Sequence, residues 1–217
     1  MCLKKNLGMF KKYLAEFLGT FFIVLIGCGA IVINQQYNGV ITHLGISIIF
    51  GVIVCLVIYA FSKQSTHFNP AVSIALFLYK KLSLKHLIAF IIFQISGVIV
   101  ASIILHFIFP SNQLIGTTQP NGYWLLSFGL EFILTFILLT LIFILDKYPT
   151  KYAGLLIGLL IFLEAYFAGP ICGASMNPAR SIGPAIVSGH LNYLWLYIIA
   201  PTMGAISALY IRNFIIK

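Results

Sequence analysis

The chain has 217 residues, of which 61% are hydrophobic and 8% charged, with a mean hydropathy of +1.06. That is more apolar surface than a water-soluble domain of this size can bury, so a polytopic membrane protein is expected. The net charge of +9 suggests nucleic acid as a partner, but the cations form no patch that would read phosphates; they alternate with long apolar runs. In lipid every backbone polar group must be satisfied within the chain. The runs are continuous, not short and alternating, so the expected class is all-α and not a barrel.

Apolar runs over 13–33, 41–61, 85–108, 123–145, 152–169 and 192–213 each approach the ~20 residues that a helix needs to cross a bilayer. Residues 1–33 have the outline of a signal peptide, a basic start before an apolar core. The core is as long as a full span and Glu16 interrupts it, so an uncleaved first helix is expected. Lys4, Lys5, Lys11 and Lys12 precede the first run, and Lys80, Lys81 and Lys85 lie between the second and third. Lys147 and Lys151 separate the fourth and fifth, Arg212 and Lys217 close the chain, and 34–40 and 108–122 hold no Lys or Arg. This positive-inside pattern predicts cytoplasmic termini. The Lys- and Ile-rich usage with compact loops fits a plasma membrane, specifically a bacterial inner membrane.

Two further apolar runs, 70–79 and 178–187, are only half as long. Each follows an Asn-Pro-Ala, in His67-Phe68-Asn69-Pro70-Ala71 and in Gly173-Ala174-Ser175-Met176-Asn177-Pro178-Ala179-Arg180. Asn caps the free N–H groups of a helix start, and Pro at the first helical position loses nothing by lacking an N–H. These pieces read as re-entrant half-helices, which tolerate non-helical backbone at depth only where protein or water surrounds it. With the Asn oxygens used in capping, the amide NH₂ groups of Asn69 and Asn177 are free to donate outward. Two such starts meeting would set fixed donors and positive dipole ends around a narrow pore for neutral solutes.

An internal repeat supports the pairing. Glu16-Phe17-Leu18-Gly19-Thr20-Phe21 matches Glu131-Phe132-Ile133-Leu134-Thr135-Phe136, and one Asn-Pro-Ala follows each. Three spans and one half-helix per copy give a single domain, 1–217, built from inverted repeats of about 10–110 and 123–213. Ala15 with Gly19, Gly27 with Gly29, Gly154 with Gly158 and Gly204 with Ala208 allow close helix approach in lipid.

The embedded acids invite a proton-relay reading. Glu16 and Glu131, as repeat equivalents, are better read as acceptors for the backbone of the re-entrant loops, which otherwise lacks partners. Glu164 either polarises a vestibule or is buried and protonated. His67 either lines or gates the pore or holds its loop by a fixed hydrogen bond. His43, His86, His106 and His190 fall near span ends, where packing is the default. Arg180 lies one turn beyond Asn177 on the same helix face, and at that depth it needs a cavity and partners. The chain uses eleven Lys and two Arg, so a planar, multi-donor group is wanted there. Cys2, Cys28, Cys55 and Cys172 show no metal spacing, and neither a metal nor a cofactor is expected.

With these motifs, the whole chain resembles the major intrinsic proteins, the aquaporin and glycerol-facilitator channels. Residues 168–185 are particularly similar to the nodulin-like plant branch and its bacterial relatives. The resemblance implies six helices and two half-helices, a homotetramer with one pore per subunit, and an outer constriction of Phe50, Ala165, Ala174 (beside Gly173) and Arg180. Position 165, often His in strict water channels, is Ala here, so a wider and more amphipathic opening is expected. The stretch Ser62-Lys63-Gln64-Ser65-Thr66 departs from the family's usual Gly-His-Ile-Ser-Gly. The expected function is a passive channel for water and small uncharged solutes such as glycerol, and further for urea or metalloid hydroxides, excluding ions and protons. A strict water channel and a proton-coupled secondary transporter using Glu16, Glu131 and Glu164 are the alternatives. An enzyme is not expected, since neither His-Glu-x-x-His nor Gly-x-Ser-x-Gly occurs.

Overall fold

The computed structural model describes residues 2–215, and Lys217, one of the terminal cations, lies outside them. Helix α1 runs through Cys2–Phe22, a π-helical turn at Ile23–Cys28 and Gly29–Gln36. It is followed by α2 (Thr42–Phe61), the short α3 (Pro70–Leu78), α4 (Leu84–Ile108) and α5 (Trp124–Lys147). The chain ends with α6 (Ala153–Cys172), the short α7 (Pro178–Ser188) and α8 (Leu194–Ile215). Six of these helices are long and apolar enough to cross a membrane, the first over Gly8–Gln36. That first span is longer than its apolar run because the helix continues through Lys11 and Lys12 at one end and Gln35 and Gln36 at the other.

The two short helices begin as their capping chemistry predicts. Asn69 and Asn177 both sit in the extended region, and Pro70 and Pro178 take the first helical position. α6 stops at Gly173, whose φ of 84° turns the chain away from the helix axis. The π-helical turn in α1 had no counterpart in the sequence reading. It brings Gly27 against the Phe50 ring, where a Cβ would overlap the ring atoms.

The bundle has an apolar core, and its outer faces are apolar as well. Val52, Leu56, Ile92, Ile103, Ile133 and Leu159 are exposed along the outer faces of the spans, where lipid would meet them. Glu16, Glu131, Glu164 and Arg180 are buried. The long helices pack chiefly as α1 on α4, α2 on α6 and α5 on α8, while α7 rests on α4 and α3 on α8. Glycine makes these crossings close. Gly97 lies against the Phe17 carbonyl, Gly204 against the Phe132 carbonyl, and Gly51 against Gly158. A Cβ on Gly51 would stand 2.6 Å from the Gly158 carbonyl oxygen, a rigid backbone atom. Gly51→Ala is therefore expected to push α2 off α6 and destabilise the protein by about 1–3 kcal/mol, read as a lower thermal midpoint in detergent. An unchanged midpoint would mean that this crossing relaxes freely.

Candidate functional site

The starts of α3 and α7 meet at the centre of the bundle. Asn69 Oδ1 accepts from Ala71 N at 2.8 Å, and Asn177 Oδ1 accepts from Ala179 N at 3.0 Å and Arg180 N at 3.4 Å. Each amide nitrogen then reaches across the junction. Asn69 Nδ2 donates to Met176 O at 2.7 Å, and Asn177 Nδ2 donates to Phe68 O at 2.8 Å. This corrects the expectation that the whole NH₂ group is free. One proton of each amide fastens the opposite loop, and one remains, because the group carries two.

The accepting carbonyls belong to the residues just before the opposite Asn. Phe68 and Met176 both have left-handed backbone, with φ of 48° and 52°. For a side chain of that bulk the conformation costs on the order of 1 kcal/mol and must be held from outside. Two buried carboxylates hold it. Glu16 accepts from His67 N (2.9 Å) and Phe68 N (2.7 Å), as well as from Ser65 Oγ (2.5 Å) and Gln94 Nε2 (2.6 Å). Glu131 accepts from Ser175 N (2.7 Å) and Met176 N (2.8 Å). His67 and Ser175 thus occupy matching places, as do Phe68 and Met176. Ser65, from the atypical 62–66 stretch, gives Glu16 a hydroxyl donor in addition to the two backbone N–H groups.

Around the second loop, Ser181 Oγ lies 2.6 Å from Ser175 Oγ and accepts from Thr118 Oγ1 at 2.8 Å, while Tyr197 OH donates to Cys172 O at 2.7 Å. Arg180 Nη1 donates to Gly116 O at 2.7 Å, and its guanidinium lies 5.3 Å from the centre of the Phe50 ring. These partners come from the 109–122 connection and from α8, whose approach nothing in the sequence announced. Gln94 and Ser73 were also missed; a lone amide in mid-span was the available signal for Gln94.

One cavity reaches the junction and a second adjoins the first. The first, of about 250 Å³, is bounded by His67, Asn69 and Asn177, with Ile58, Leu76 and Ile157 among its apolar walls. The other, of about 230 Å³, is bounded by His43, Ser47, Thr118 and Gly173. Phe50, Ala165, Ala174 and Arg180 line both cavities and therefore form the wall where they meet. Glu16, Glu131 and Glu164 line neither. Glu164 is buried beside Ala165 with no hydrogen-bond partner for either oxygen among the described residues.

Six lipid-compatible helices, two half-helices meeting by their N-termini, and two cavities that share one wall define a multi-pass membrane channel. The chain belongs to the major intrinsic protein family, whose model matches residues 4–211. It is 38% identical to aquaporin NIP2-1 of Arabidopsis thaliana over 214 residues, covering 94% of this chain and 74% of that protein. It is likewise 38% identical to nodulin-26 of Glycine max, over 94% of this chain and 78% of that one. In fold it superposes on the crystal structure of the aquaglyceroporin from Plasmodium falciparum with a TM-score of 0.86, at 24% identity and covering 96% and 97% of the two chains.

Proposed function

We propose that this chain is a passive channel for water and small uncharged solutes, with glycerol as the leading organic solute. The observation that carries this reading is the composition of the shared wall. One aromatic ring, two methyl groups and one guanidinium line both cavities. A polyol needs an apolar side for its carbon backbone and donors for its hydroxyls, and Phe50 with Arg180 supplies both. The small Ala165 and Ala174 leave room for it. Solutes then pass Asn69 and Asn177 in single file, each accepting the one amide proton that is not committed to the opposite loop.

The half-helix dipoles and Arg180 place positive potential along the route, which opposes hydronium and metal cations. Glu16 and Glu131 are occupied by the loops and line neither of the two cavities, which favours a channel over proton-coupled transport. The matched carboxylate-to-loop bonds favour reading about 10–110 and 123–213 as inverted repeats. The exposed apolar helix faces suit a homotetramer in lipid, and the lysine pattern suits cytoplasmic termini in a bacterial plasma membrane.

Stopped-flow light scattering on proteoliposomes tests the reading, with water efflux driven by sucrose and solute entry driven by a glycerol gradient. Both fluxes are expected to exceed those of empty liposomes. Flow of water alone would make this a strict water channel, and uptake that saturates and follows a pH gradient would make it a transporter. Ala165→His should narrow the wall, cutting glycerol entry on the order of tenfold, equivalent to about 1.4 kcal/mol, and sparing water. Equal loss of both fluxes would argue against Ala165 as the selective position.

A further inference from the structure

The hydrogen-bond chain behind His67 leaves one place for the imidazole proton. It begins at Glu16, where two backbone N–H groups and Gln94 converge on the carboxylate. A carboxylate only accepts, so the Gln94 atom 2.6 Å from Glu16 Oε2 is the amide nitrogen. The Gln94 oxygen is turned away and is buried without a partner among the described residues, which marks the carboxylate as the contact that sets the orientation. The same nitrogen lies 2.9 Å from Ser73 Oγ. An amide nitrogen does not accept, so Ser73 Oγ takes its second proton. The hydroxyl's own proton then goes to its other neighbour, His67 Nδ1, at 3.0 Å. Nδ1 is thereby an acceptor, and a neutral ring carries its proton on Nε2. Nε2 has no hydrogen-bond partner among the described residues, and the ring lines the cavity of about 250 Å³.

We infer that Gln94 and Ser73 are positioning residues that hold His67 as the Nε2–H tautomer, so that it offers a donor and not a lone pair to whatever occupies that cavity. Its use rests on the channel reading. A lone pair there would be a ligand for hydronium or a metal cation in the same cavity as Asn69 and Asn177. A third neutral donor instead turns solute oxygens toward the wall and gives a cation nothing to bind.

Solid-state NMR of the full chain in liposomes, labelled with ¹⁵N,¹³C-histidine, tests this at neutral pH, with a His67→Gln sample subtracted to isolate the ring. The protonated nitrogen is expected to correlate with Cδ2, which identifies Nε2, and the unprotonated one with Cγ. Ser73→Ala should lose this single signature and give a mixture of tautomers, and Ser73→Thr, which keeps the hydroxyl, should restore it. A wild-type proton on Nδ1, a doubly protonated ring, or a Ser73→Ala spectrum identical to wild type would overturn the inference. The wild-type spectrum decides the tautomer even if Ser73→Ala does not fold. The readout is also independent of conduction, so absent water and glycerol flow would count against the channel reading and leave the tautomer standing.

Discussion

Glu131→Leu is expected to lower the thermal midpoint of the detergent-solubilised protein by about 10 °C, or to abolish recovery of folded protein. The carboxylate is fully buried and accepts the N–H groups of Ser175 and Met176. Leu fills the space but accepts nothing, and each buried N–H left without a partner costs about 1–3 kcal/mol. Two such groups sum to about 2–6 kcal/mol, and for a chain of this length each kcal/mol moves the midpoint by roughly 2–4 °C. Glu131→Gln keeps one acceptor oxygen but turns an NH₂ toward the second donor, so an intermediate loss is expected. Glu16→Leu should be the worse of the pair, because it also strips Ser65 and Gln94 of their acceptor. A Leu variant at either position that melts with the wild type would sink the idea that these acids hold the loops.

The second large effect concerns ion exclusion. Arg180→Ala removes a buried guanidinium from the wall shared by the two cavities and leaves the Gly116 carbonyl without its donor. A unit charge about 5 Å from a passing cation opposes it by about 3 kcal/mol at an effective dielectric of about 20. Losing that repulsion raises cation occupancy of the constriction by roughly 10²-fold. Proton and potassium fluxes into liposomes, followed with a pH-sensitive dye and an ion-selective electrode, are expected to rise clearly above wild type. Arg180→Lys keeps the charge but not the planar fork. It should largely preserve exclusion while loosening the Gly116 contact. If the Ala variant stays as ion-tight as the wild type, exclusion lies with the half-helix dipoles and not with Arg180.

Much of this architecture was legible because its signals are local. Asn before Pro before an apolar run specifies a helix start within four residues, and both half-helices begin where that chemistry places them. Glu16 and Glu131 stood out in the repeat, since two acids at matching positions call for matching partners. What escaped depends on segments distant in sequence. Arg180 finds Gly116 from 64 positions away, and Gln94 reaches Glu16 from 78. Nothing in either neighbourhood names the other. The second proton of each Asn amide escaped for the same reason, since its acceptor lies more than a hundred residues off on the facing loop. The π-helical turn at Ile23–Cys28 holds Gly27 against Phe50, a contact between two helices that local propensity does not encode.

The reciprocal bonds between Asn69 and the Met176 carbonyl and between Asn177 and the Phe68 carbonyl also have a mechanical meaning. Neither half-helix can shift along its axis without breaking bonds that anchor the other, so the junction acts as one rivet through the middle of the bundle. A rivet there fixes the bore at its midpoint. Any valve this channel possesses is therefore expected at its mouths and not at the centre.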